Sequence, residues 1–160
     1  MLYLLFGASV LAEDGQTNSP AKTPEELGRR VAQAMIAGDT NSLAVLLPSY
    51  EAYLPMCRLN LGEGPYTEAN LQKCYARWMG RLTEEIQAFP SEFAKATSFK
   101  ADQIDRIDVA RQKEGSRTNW TDVEVTFSVK DAQFLLNLDE CLRFSNAWYV
   151  VDLDWMGKQK

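Results

Sequence analysis

The chain has 160 residues, 46% of them hydrophobic and 24% charged, with a formal net charge of −5; this is enough for one domain with a real core and too short for two comfortable ones. An acidic chain with no Lys/Arg run lacks the electrostatic footprint of a nucleic-acid binder. Histidine is absent altogether, which removes Ser-His-Asp and Cys-His catalysis in their usual forms and imidazole ligation of metals.

Residues 2–12, LYLLFGASVLA, form an apolar run that ends at Glu13-Asp14-Gly15. The run is shorter than the roughly 20 residues a membrane span needs. Val10 and Ala12 supply small residues at the −3 and −1 positions of a cleavage site, so residues 1–12 read as a secretory signal peptide cut after Ala12, without the usual basic start. A buried first helix is the alternative. The signal implies a secreted or periplasmic protein whose mature chain has no integral membrane segment. Residues 13–23, EDGQTNSPAKT, carry no hydrophobic pattern and read as a disordered tether. A single domain then spans 24–157.

Thr23 is a natural N-cap, Pro24 fits the first helical position, and Glu26 falls where it closes a capping box. Leu27, Val31 and Met35 share one helix face, and Gly38 ends the helix. Asp39 or Asn41 starts a short second helix through Leu43–Leu47, stopped by Pro48. In residues 49–66 the alternation of Leu59 and Leu61, beside Gly62, Gly64 and Pro65, predicts a short strand. Thr67 caps a long helix with the stripe Leu71, Tyr75, Trp78, Leu82 and Ile86, terminated by Pro90.

The period then changes from helix to strand. Ile107 and Val109 mark the first strand, closed by the turn Lys113–Ser116. Val123, Val125, Phe127 and Val129 alternate with polar residues in the second. Lys130-Asp131 leads to Phe134–Phe144, and Ser145-Asn146 is a tight hairpin into Trp148–Trp155. Short links predict an antiparallel meander, and helices before sheet predict an α+β fold with a four- to five-stranded sheet.

Chemistry-bearing residues are few. Cys57, Cys74 and Cys141 have no C-x-x-C spacing, so no metal site is expected, and no nucleotide or cofactor motif is present. Export would let Cys57 and Cys74, the nearest pair, form a disulfide worth about 3 kcal/mol where geometry allows. Asn119-Trp120-Thr121 fits a glycosylation sequon, relevant only in a secreting eukaryote. In FLLNLDECLRF, Glu140 falls on the same alternating face as Phe134, Leu136, Leu138, Leu142 and Phe144, with Cys141 on the other face as a packing residue. Glu140 is either a strand-end carboxylate paired with a surface cation, or a desolvated group with a raised pKa, fit for acid–base work or for anchoring a ligand. Arg58 is its candidate charge partner. Tyr53 and Tyr75 are candidates for a pocket mouth, although Tyr75 also sits on the core stripe. One of Trp148 and Trp155 should point away from the helices, which suggests a homodimer or partner surface on the sheet.

The order helix, short helix, short strand, long helix and four antiparallel strands, with Ala37-Gly38-Asp39 at the exit of the first helix, resembles the nuclear transport factor 2-like superfamily over residues 24–155. That resemblance implies a strongly curved sheet wrapping the helices into a cone with a pocket at its open end. The superfamily's isomerases use an Asp base after the second helix and a Tyr on the first. Here the first helix has no Tyr, and Tyr50, Glu51 and Tyr53 follow the second helix without an Asp, so no catalytic set carries over. The expectation is a non-enzymatic domain that binds a small apolar ligand or a partner through the cone or the sheet face, with no cofactor. The alternatives are an acid–base enzyme using Glu140 with a Tyr, and a structural dimerisation domain whose cone is packed shut by Trp78, Leu82, Phe134 and Leu136.

Overall fold

Local signals at Thr23 do what their chemistry dictates. In the computed structural model, which describes residues 19–61, 67–111 and 120–158 and the side chains of 19–55, 67–110 and 120–154, the Thr23 hydroxyl accepts the Glu26 amide and opens α1, Pro24–Ala37. The expected capping box closes only on this side. The Glu26 carboxylate reaches one residue further back and accepts the Lys22 amide at 2.8 Å. Gly38 takes the left-handed φ of 64° that its lack of a Cβ permits, and the Asp39 amide returns to the Ala34 carbonyl. Asp39 then caps α2, Thr40–Ala44, by accepting from the amides of Asn41 and Ser42.

Two expectations about the helices are corrected. Residues predicted to hold a short strand at Leu59 and Leu61 belong to α3, Tyr50–Leu61, so no fifth strand forms there. Alternation over a few residues cannot tell a strand from a helix when both would be amphipathic. Nor does Pro90 end the long helix: α4 runs Glu68–Thr97 with Pro90 inside it. Leu82, Ile86, Phe89 and Phe93 continue one buried stripe across the proline. Packing of Phe89 and Phe93 outweighs the roughly 3 kcal/mol that an interior proline costs.

After a 3-10 turn at Ala101–Gln103 come β1 (Arg106–Arg111), β2 (Trp120–Val129), β3 (Ala132–Phe144) and β4 (Ala147–Lys158). They form one open, wholly antiparallel sheet in the order β1-β2-β3-β4. The fold is α+β, helices first and meander last. Ser145 and Asn146 both have positive φ, the conformation that matches a two-residue hairpin to strand twist. The turn expected at 113–116, the signal peptide expected at 1–12 and the sequon residue Asn119 lie outside the described residues.

Both sheet-packing helices lie on one face. Gly28 of α1 lets the helix backbone approach Val109, Val123 and Val125. Phe89 and Phe93 of α4 meet Phe127 and Phe134 at ring-centroid distances of 5.5 and 5.3 Å. Val123, Val125, Phe127, Leu136 and Leu138 are fully buried there. The free edge of β4 is partly covered: the Trp148 amide donates to Ala21 and the Val150 amide to Leu46. Ala21 is fully buried, so the end of the stretch read as a tether is part of the fold. Among the described residues no helix is long and apolar enough to cross a membrane.

Candidate functional site

Strand alternation around Glu140 is broken by paired irregularities. Val123 opposes Leu138 and Thr121 opposes Cys141, so Asp122 faces the two residues Asp139 and Glu140. On β4, Cys141 pairs with Val150 and Glu140 with Asp152, leaving Val151 as an extra residue. These are bulges, and each shifts the phase of the side chains that follow.

The shift answers the puzzle of a carboxylate among leucines. Leu138 and Cys141 are both fully buried on the helix side, and two residues separate them. Glu140 therefore leaves the face of Phe134, Leu136 and Leu138, and Cys141 takes its place. Strict alternation assigned both residues to the wrong faces, because a bulge inserts one residue without announcing itself in composition. Cys141 is the packing residue expected, with burial pushing its thiol far above its ordinary range.

Outside the core face Glu140 meets carboxylates. Its pKa is raised first by burial, then by Asp152, Asp122 and Asp139. Asp139 is raised first by burial, then by Asp154, Asp122 and Asp152, although Asn137 donates a hydrogen bond to it. On α4, Glu85 is raised first by burial, with Arg81 opposing and Asp152, Glu92 and Asp154 adding to the rise. Arg81 bridges this group, binding Asp152 at 3.0 Å and Glu85 at 3.7 Å. Sequence reading missed Asp122 and Asp139, which strand register brings to Glu140, and Arg81 and Glu85, which the packing of α4 against β4 brings to Asp152. Among the described residues, no group of three or more Cys, Asp or Glu side chains is arranged to hold a metal ion.

The aromatic candidates assemble elsewhere. Tyr53 of α3 stacks on Trp78 of α4 at 4.6 Å, and Tyr75 touches Tyr50, Tyr53 and Trp78 at ring distances of 5.4, 5.4 and 5.8 Å. The Tyr75 hydroxyl donates to the Pro48 carbonyl at 3.0 Å, and burial raises its pKa. The Trp78 indole donates to Val151 at 2.7 Å. These rings pin α3, α4 and β4 together. Cys57 and Arg58 lie on α3, but their side chains, and with them the proposed disulfide and the pairing with Glu140, lie outside the described residues. Cys74 is exposed on α4. Trp148 is buried; the side chain of Trp155 is outside the described residues.

Family models, curated proteins and solved structures offer no match to this chain.

Proposed function

We propose that this chain is an exported, non-enzymatic binding domain that works through its surface, by docking a macromolecular partner. One observation carries the reading. The side of the sheet that would line a cone pocket is filled by Leu82, Phe89, Phe93, Phe127, Phe134 and Leu136, each at most 3% exposed. Glu140, the carboxylate that an acid–base enzyme would need there, lies outside that face, among other acids. Ligand sites are concave, mostly apolar and furnished with a few convergent polar groups; the filled helix side of this sheet offers a substrate no room beside Phe127 and Phe134. The helix-first, meander-last layout supports a nuclear transport factor 2-like architecture, and a fold of that kind serves binding as readily as catalysis.

Native mass spectrometry of the protein purified from its own host tests the reading. The expected result is the bare chain, alone or with a protein partner. A stoichiometric small molecule retained through purification, and lost from Phe134→Trp, would overturn it in favour of an interior ligand site.

A further inference from the structure

We infer that the sheet face turned away from the helices docks a basic partner segment carrying an apolar anchor, and that it rejects a second copy of this chain; the inference rests on the surface-binding reading above. Register, with the bulge at Asp139 and Glu140, places Asp122, Asp139, Glu140, Asp152 and Asp154 on that face with Trp120, Leu142 and Tyr149. The last three are paired across adjacent strands, Trp120 with Leu142 and Leu142 with Tyr149, and form an apolar end to the surface. Leu142 is buried and the two rings half-buried. Asp122 and Asp154 are exposed, and Asp139 and Glu140 half-buried.

Among the described residues, carboxylates outnumber cations on this face. Arg106 of β1, the cation that alternation puts there, is held by Asp108 at 2.7 Å. Arg81 reaches Asp152 from α4, at the edge. Asp139 and Glu140 are each perturbed by carboxylates and by burial. A symmetric dimer packs the same patch against itself. Centred on the carboxylates, such a pairing would set one acidic patch against another, a juxtaposition that disfavours it. Lysine or arginine beside an apolar residue satisfies both halves of the surface, the carboxylates by charge and the Trp120–Leu142–Tyr149 end by burial.

The test uses a short synthetic peptide alternating lysine with leucine, titrated into the isotopically labelled chain and followed by amide shifts. Shifts are expected at Trp120, Leu142 and Tyr149. Affinity is expected to fall at least about tenfold in the triple variant Asp122→Asn/Glu140→Gln/Asp154→Asn. It should hold in Glu51→Gln/Glu68→Gln/Asp102→Asn, which changes net charge equally at exposed positions elsewhere. A peptide with glutamate in place of lysine should not bind. Equal weakening by the two triple variants would reduce the effect to bulk charge and overturn the inference, as would a dimer cross-linked through Tyr149. Either result leaves the surface-binding reading standing, whereas a retained small molecule removes that reading first.

Discussion

The indole of Trp78 donates to the main-chain oxygen of Val151 at 2.7 Å, joining the middle of α4 to the extra residue of the β4 bulge. Val151 is 2% exposed, so its carbonyl has no ready access to water. Trp78→Phe keeps a ring against Tyr53 but removes the donor. An orphaned buried acceptor costs about 1–3 kcal/mol. Urea unfolding followed by far-ultraviolet circular dichroism should show that loss; an unchanged midpoint would mean that water replaces the indole.

Glu140 predicts an unusual pH response. Its folded pKa is raised, so the folded state holds this proton more tightly than the unfolded chain, and the ionised group weakens the fold at neutral pH. The penalty is relieved as pH falls through the raised folded pKa, fully so below the ordinary value of 4.5. Glu140→Gln should therefore melt higher than the parent at pH 7, by less than about 1 kcal/mol because solvent screens a half-exposed group. The two proteins should converge as pH approaches 4.5. Melting curves that stay parallel would show that neither burial nor Asp152, Asp122 and Asp139 raise the pKa of Glu140.

Two glycines on helices should respond to alanine with opposite signs. A Cβ on Gly28 would stand 2.7 Å from Val123 and 2.8 Å from Val109, whereas nothing lies within 4 Å of one on Gly80. Val123 is fully buried and cannot retreat. Gly28→Ala should lose about 1–3 kcal/mol to overpacking, partly offset by helix propensity. Gly80→Ala should gain roughly 1 kcal/mol. Thermal denaturation of the pair provides the check, each serving as the other's control.

Pro90 offers a stabilising change. Alanine at this interior helical position restores an amide for the preceding turn and relieves the ring's crowding of that turn. Pro90→Ala is expected to raise stability by about 1–3 kcal/mol. A fall in the melting temperature would instead show that the ring, whose Cγ stands 3.9 Å from the Cβ position of Gly38, packs usefully between α1 and α4.

Helix caps and the meander were legible because their signals are local. Thr23, Asp39 and Thr67 act within three residues, and Ser145-Asn146 fixes a hairpin by backbone conformation alone. The continuation of α4 past Pro90 was not legible, because Phe89 and Phe93 are justified only by Phe127 and Phe134 far along the chain. The surroundings of Glu140 were hidden for the same reason. Alternation has no term for the bulge that turns Glu140 outward beside Asp139, and Asp122, Asp152 and Asp154 gather through register. Tyr53 and Tyr75 did meet, but as packing around Trp78.

The covered edge of β4 has a further consequence, for colloidal behaviour. Outer strands present unpaired amides that can recruit strands from neighbouring molecules. Here Ala21 occupies the Trp148 amide and Leu46 the Val150 amide. Ala21, ahead of the first helix, and Leu46, after the second, thus act as a guard rail at two points along this edge. Chains trimmed beyond Lys22 should retain their helices and core yet self-associate into β-rich aggregates, at a rate that rises with protein concentration.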